Sequence, residues 1–214
     1  MNVDTLPIST ADRLSQAPGV RRFPNRKLDL FIAPRFLDEE RCAGIIALID
    51  AQRRPSTQAD SNGDPLYRTS ETCDLDGTHP AVAWLDERIA ALTGLDLAHG
   101  EPMQGQRYAV GQEFKDHTDY FEPTGIDYAR YCTGVGQRTW TVMIYLNRPG
   151  AGGATRFRHI DKIIQPETGK LVAWNNLDAR GVPNPATLHH GMKVRGGTKY
   201  VVTKWFRENR WPRG

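Results

Sequence analysis

The chain has 214 residues and a mass of 24.0 kDa, with 39% apolar and 25% charged residues, which suits one domain with a sizeable core and not two. A net charge of +3 and a pI near 8.8, without dense Lys/Arg clusters beside aromatics, argue against nucleic acid as a partner. Cys42, Cys73 and Cys132 are too scattered for a disulfide framework or a zinc site, and the charged first 25 residues leave no apolar run for a signal peptide or membrane span. A soluble, cytoplasmic protein with reduced thiols is the expectation.

In chain order, residues 1–27 carry Pro7, Pro18, Gly19 and Pro24 and read as an irregular N-terminal arm. A region of helical support follows over 28–102. LDLFIAPRFL reads as a strand broken at Pro34. Asp38 caps a helix whose Cys42, Ile45, Ile46 and Ile49 fall at helical spacing. Residues 53–65 read as a long polar loop. After Pro80 a second amphipathic helix places Val82, Leu85, Ile89 and Leu92 on one face and stops at Gly94.

From about Met103 the texture changes to short alternating runs punctuated by Gly, Pro and Asn, which predicts a mainly β core over 103–214, with 28–214 as one folded domain. RTWTVMIYLN is its clearest strand. Thr139, Thr141, Met143 and Tyr145 share one face, and Trp140, Val142, Ile144 and Leu146 the other. GAGGATRF, GKLVAWNN and TKYVVTKWF supply a turn and further strands. Residues 120–137 read as a second long loop, suited to a substrate rim. The tail RENRWPRG reads as solvated.

The chemistry concentrates in YAVGQEFKDHTDYF. In an extended segment residues two apart share a face, so His117 and Asp119 can reach one cation. A distant histidine completes such a set, and TLHHGMKVRGGTKYVVTKWF offers His189 or His190, with Lys199 beyond. Two histidines and a carboxylate on one side of a metal are the donor set of non-heme Fe(II) oxygenases. A His-x-Asp pair alone is weak, and the chain holds a second, His159 and Asp161. That pair lacks the Tyr-x-x-Gly lead and reads as an exposed polar end.

Over residues 30–207 the sequence resembles the 2-oxoglutarate- and Fe(II)-dependent dioxygenases of the prolyl 4-hydroxylase type. The pattern Tyr-x-x-Gly-x-x-aromatic-x-x-His-x-Asp is met by Tyr108, Gly111, Phe114, His117 and Asp119. Arg138, Thr141, Tyr145 and Leu146 match the next strand, and Gly152, Gly153, Thr155 and Phe157 its turn. The closing pattern is met by His189, Val194, Gly197, Lys199 and Trp205.

The resemblance implies a double-stranded β-helix, or jelly roll, with the N-terminal helices packed on its major sheet. It selects His189 over His190 and implies His117, Asp119 and His189 as Fe(II) ligands. Lys199 is implied to meet the distal carboxylate of 2-oxoglutarate, assisted by Thr141 and Tyr108. Arg68, Arg138, His190 and Trp205 are expected as possible substrate-lining residues. The implied reaction consumes O2 and 2-oxoglutarate, gives succinate and CO2, and hydroxylates an unactivated C–H bond, with L-ascorbate as an accessory reductant. Peptidyl proline is the leading substrate, a free amino acid or other small molecule the alternative, and a non-catalytic jelly-roll module the third reading.

Overall fold

The structure, a computed structural model, describes residues 8–56, 64 and 66–212. Of the loop expected at 53–65, residues 57–63 and 65 lie outside the described residues, as do residues 1–7 of the arm and 213–214 of the tail. In chain order the helices are α1 (Thr10–Gln16), α2 (Glu39–Gln52), α3 (Pro80–Thr93) and α4 (Ile126–Cys132). The strands begin with β1 (Arg21–Arg22), β2 (Leu30–Ala33), β3 (Arg54–Pro55), β4 (Glu71–Asp74), β5 (Gln104–Tyr108), β6 (Phe114–His117) and β7 (Arg138–Tyr145). They continue with β8 (Ala151–Gly152), β9 (Thr155–Phe157), β10 (Lys162–Ile164), β11 (Leu171–Asn175), β12 (His189–Gly191), β13 (Val194–Gly196) and β14 (Lys199–Arg207).

An eight-stranded sheet in the order β1-β2-β11-β7-β14-β5-β4-β3 faces a four-stranded sheet in the order β10-β9-β12-β6. Every pairing is antiparallel, for example Lys199 opposite Tyr108 and His189 opposite His117. This is the expected jelly roll. The major sheet reaches further than the sequence suggested, because β1 joins it from the segment read as an irregular arm and β3 and β4 from the segment read as helical support.

The alternation in β7 divides the interior in two. Trp140, Val142, Ile144 and Leu146 join Phe31, Ile45, Ile49, Val82, Leu85 and Ile89 in a core between the outer face of the major sheet and the helices. Met143 and Tyr145 join Phe157, Val172, Trp174 and Val201 in a second core between the sheets. Gly105 in β5 is what lets α2 lie close, since a Cβ there would come within 2.5 Å of Ile49 Cγ1.

Both expected helices form where their signals lie. Asp38 accepts from Arg41 N at 2.8 Å at the start of α2, and Gly94 takes the left-handed conformation that ends α3. Three segments depart from expectation. The arm is not irregular over 10–16: α1 is capped by Ser9, and its Leu14 is fully buried in the outer core. The rim segment 120–137 contains α4, and the tail folds back, with Trp211 N donating to Ala98 O at 2.8 Å. Each is a short element stabilised by contacts with distant residues, which local periodicity does not report.

Candidate metal centre and its pockets

Antiparallel pairing of β12 with β6 sets His189 directly across from His117, at the open end of the space between the sheets. Asp119 follows His117 by two residues, and its Oδ1 lies 3.9 Å from His117 Nε2. One donor atom from each of His117, Asp119 and His189 lies within 4.8 Å of the others. Among the described residues this is the one such group.

Each donor is held from behind. His117 Nδ1 meets Lys115 O at 2.7 Å and His189 Nδ1 meets Thr187 O at 2.9 Å. A carbonyl only accepts, so each Nδ1 carries the proton and each Nε2 presents its lone pair. Burial and the neighbouring His189 push His117 well below the ordinary imidazole range, keeping it neutral as a ligand must be. Phe114 stacks on the His117 ring at 3.5 Å between centroids, and Phe157 and Trp174 flank His189. This donor set fits Fe(II): two neutral nitrogens and a carboxylate, gathered on one side.

Thr141 sits elsewhere than expected. Its Oγ1 donates to Asp119 Oδ2 at 2.7 Å and accepts from Asn176 Nδ2 at 2.9 Å. The hydroxyl therefore steadies the carboxylate of the metal group and is not turned to Lys199. Asn176, fully buried, was missed by sequence reading. It is the last residue of the segment GKLVAWNN, just past the end of β11, and nothing local marks it.

Beneath the metal group lies a narrow pocket lined by Tyr108, Thr155, Trp174, His189, Lys199 and Trp205 among others. Lys199 is 2% exposed. Among the described residues no carboxylate pairs with it, and its Nζ lies 4.7 Å from the Tyr108 ring and 5.5 Å from that of Tyr145. Burial alone pushes its pKa down to about 7. A buried ammonium without a counter-ion costs free energy, so the site is built for an anion that arrives from outside. Tyr108 OH donates to Gln106 Oε1 at 2.8 Å, and Gln106, two residues earlier on the same strand face, is a further pocket residue that the strand period could have found.

A cleft of about 580 Å³ opens on the other side of His117 and Asp119. Tyr67, Phe114, Tyr120, Phe121, Tyr131, Trp205 and Trp211 give it aromatic walls. Arg68 and Arg138 also line it. Arg68 donates to Ser70 Oγ and Gln104 Oε1 at 3.1 and 2.8 Å. Arg138 is committed within the protein: it forks onto Glu101 at 2.6 and 2.8 Å and reaches Asp119 O at 3.3 Å. The pairing is buried, and Arg207 Nε joins the same Glu101 at 2.6 Å. Trp205 lines both spaces, 8% exposed, beneath the Arg138 guanidinium at 4.0 Å. Its indole Nε1, like that of Trp174, is buried without a hydrogen-bond partner among the described residues.

His190 is not among the residues lining either space. Strand alternation turns it outward, where Nε2 meets Glu113 Oε2 at 3.0 Å.

Residues 103–207 match the family model described as the 2OG-Fe(II) oxygenase superfamily. Prolyl 4-hydroxylase subunit alpha-1 of Rattus norvegicus is 36% identical over 143 residues, 66% of this chain and 27% of that protein. The corresponding alpha-3 subunit is 37% identical over 145 residues, 66% of this chain and 26% of that protein. The chain thus spans about a quarter of these curated relatives. Among solved structures, a viral collagen prolyl hydroxylase from Paramecium Bursaria Chlorella virus-1, in complex with 2OG, superposes with a TM-score of 0.65 at 25% identity, covering 86% of this chain and 97% of that one. A Pseudomonas putida prolyl-4-hydroxylase shares the fold, with a TM-score of 0.58 at 19% identity over 94% and 98% of the two chains.

Proposed function

The chain belongs to the 2OG-Fe(II) oxygenase superfamily, and we propose that it is an Fe(II)- and 2-oxoglutarate-dependent dioxygenase hydroxylating peptidyl proline. One observation carries the reading: the His117, Asp119 and His189 donors stand beside a pocket whose buried Lys199 has no carboxylate partner among the described residues.

In this reading His117 Nε2, Asp119 Oδ1 and His189 Nε2 hold the iron. When bound, Fe(II) supplies O2 activation coupled to oxidative decarboxylation of 2-oxoglutarate to succinate and CO2, the oxidising power that an unactivated C–H bond requires. The chain's own residues supply placement. Lys199 neutralises the distal carboxylate of 2-oxoglutarate, and Tyr108, whose phenol donates to Gln106, lines the same pocket. Thr141 and Asn176 fix the Asp119 carboxylate, so its free oxygen keeps one direction. Phe114, Phe157 and Trp174 exclude water from the histidines. The aromatic cleft aims the substrate carbon.

A peptide is favoured over a small molecule by that cleft. Its length of aromatic wall suits an extended, proline-rich segment that has little conformational entropy to lose. Of the arginines that could clamp a small acid near the metal group, Arg138 already spends its fork on Glu101. The test is incubation with Fe(II), 2-oxoglutarate, L-ascorbate and a proline-rich peptide, with succinate and peptide mass measured together. Succinate with a gain of one oxygen on proline supports the reading. Succinate formation stimulated by a small acid and not by any peptide would replace the substrate, and no iron-dependent succinate would reject the dioxygenase.

A further inference from the structure

Among the described residues, the substrate-side cleft holds an arginine that no internal ion pair consumes. Four arginines line it, Arg68, Arg130, Arg138 and Arg207, against the carboxylates of Glu101 and Asp119. Glu101 is shared by Arg138 and Arg207, and Asp119 belongs to the metal group. Arg130 is different. It stands exposed on α4, the element that the long-loop expectation did not foresee, and among the described residues no carboxylate pairs with it. Its guanidinium carbon lies 5.1 Å from the centre of the Tyr131 ring, which is itself stacked on Phe121 at 5.1 Å.

The same cleft is closed in part by the C-terminal segment. Trp211 lines it, tied down by its backbone bond to Ala98 and lying 5.5 Å from the Arg207 guanidinium. The wall therefore combines aromatic faces, which accept a peptide backbone or an apolar stem, with a guanidinium whose planar fork matches a carboxylate. An exposed charge at the wall of a cleft also draws ligands of the other sign.

We propose that Arg130, together with the Tyr131 and Trp211 faces, forms a subsite for a carboxylate of the substrate, so that the cleft selects a target carrying an acidic group beside the residue to be hydroxylated. This rests on the dioxygenase reading for the identity of the substrate, while the charge preference is a property of the cleft. A peptide Asp or Glu and a small organic acid share the chemistry. The test separates them.

Matched proline peptides differing only at one neighbouring position, Asp, Asn or Lys, are titrated by calorimetry against the protein loaded with Fe(II) and 2-oxoglutarate under anaerobic conditions. The Asp peptide is expected to bind about fivefold more tightly than the Asn peptide, and the Lys peptide more weakly than either. The spread narrows at about 0.5 M salt, where screening is strong. Arg130→Gln should flatten the series and Arg130→Glu should invert it. Equal affinities in the unaltered protein, or an order that survives Arg130→Glu, overturn the proposal. A parallel titration with succinate and other small acids assigns the source, since Arg130-dependent binding of these in place of the Asp peptide identifies a metabolite carboxylate. Admitting air then tests the reaction separately: the charge order with no hydroxylated product leaves the subsite standing and removes peptidyl proline hydroxylation.

Discussion

The chain contains the same three-residue motif twice, and the fold makes a metal group of only one copy. His117 and Asp119 lie at the end of β6, where β12 delivers His189 across the ladder. His159 lies in a 3-10 turn over Arg158–Ile160 and Asp161 caps it, both exposed, with Asp161 in the left-handed conformation at φ 47°. The side chain of Asp161 comes only within 3.6 Å of Arg156, in solvent. Two residues at the right spacing can ligate weakly at best. What separates the copies is the third donor, brought from 72 residues beyond His117 by strand pairing, and the hydrogen bonds that hold each donor before the metal arrives.

The largest expected effect is on the first copy itself. His117→Ala and Asp119→Ala should abolish detectable iron binding and succinate formation while leaving the circular dichroism of the fold intact, because these side chains serve a cation and not the apolar core. Iron titration by calorimetry checks this, and retained stoichiometric binding in either variant would detach the motif from the metal.

Lys199 comes next. Lys199→Ala should raise the KM for 2-oxoglutarate by at least about 100-fold with iron affinity nearly unchanged, since one side of a buried ion pair is removed. Its titration adds a pH signature. Burial lowers the Lys199 pKa to about 7, so the free protein loses the ammonium as pH rises through that value and the KM for 2-oxoglutarate should climb above pH 7. Lys199→Arg stays charged and should lose that climb. For stability the sign follows from the depressed folded pKa: folding expels a proton between about pH 7 and the unfolded lysine value, and stability from this group therefore rises with pH across that window.

A smaller effect is expected behind the motif. Thr141→Val keeps the shape but removes the bond to Asp119 Oδ2 and strands Asn176 Nδ2, and should weaken iron binding about 10- to 100-fold. If only the KM for 2-oxoglutarate moved, Thr141 would belong to the cosubstrate after all. The smallest effect belongs to the second copy. His159→Ala should leave iron affinity, turnover and stability within about 0.5 kcal/mol, as for an exposed residue, and loss of iron in that variant would erase the distinction between the copies.

Much of this was legible beforehand because it depends on short-range rules. The strand period put Thr141, Met143 and Tyr145 on one face of β7 and the apolar set on the other, and the two cores divide along that line. Asp38 and Gly94 marked helix ends that the fold uses. The glycines of the turn at 152 and 153 both take φ of +73°, and a Cβ at Gly152 would come within 2.3 Å of Lys193 O. Residue spacing alone left His189 and His190 open, and only the family pattern separated them in advance.

What the sequence determined by itself, then, was each residue's face, the ends of the principal helices and the donor types available to a metal, because these follow from backbone period and side-chain chemistry within a few residues. Tertiary structure decided the partners. It gave Thr141 to Asp119, closed the Arg138 and Arg207 guanidinia on Glu101, folded Trp211 over the cleft and left Lys199 facing its pocket without a described counter-ion. Each of these is a contact between residues far apart in the chain, chosen by strand register and by the cost of leaving a polar group buried and unpaired, and neither quantity exists until the sheets have formed.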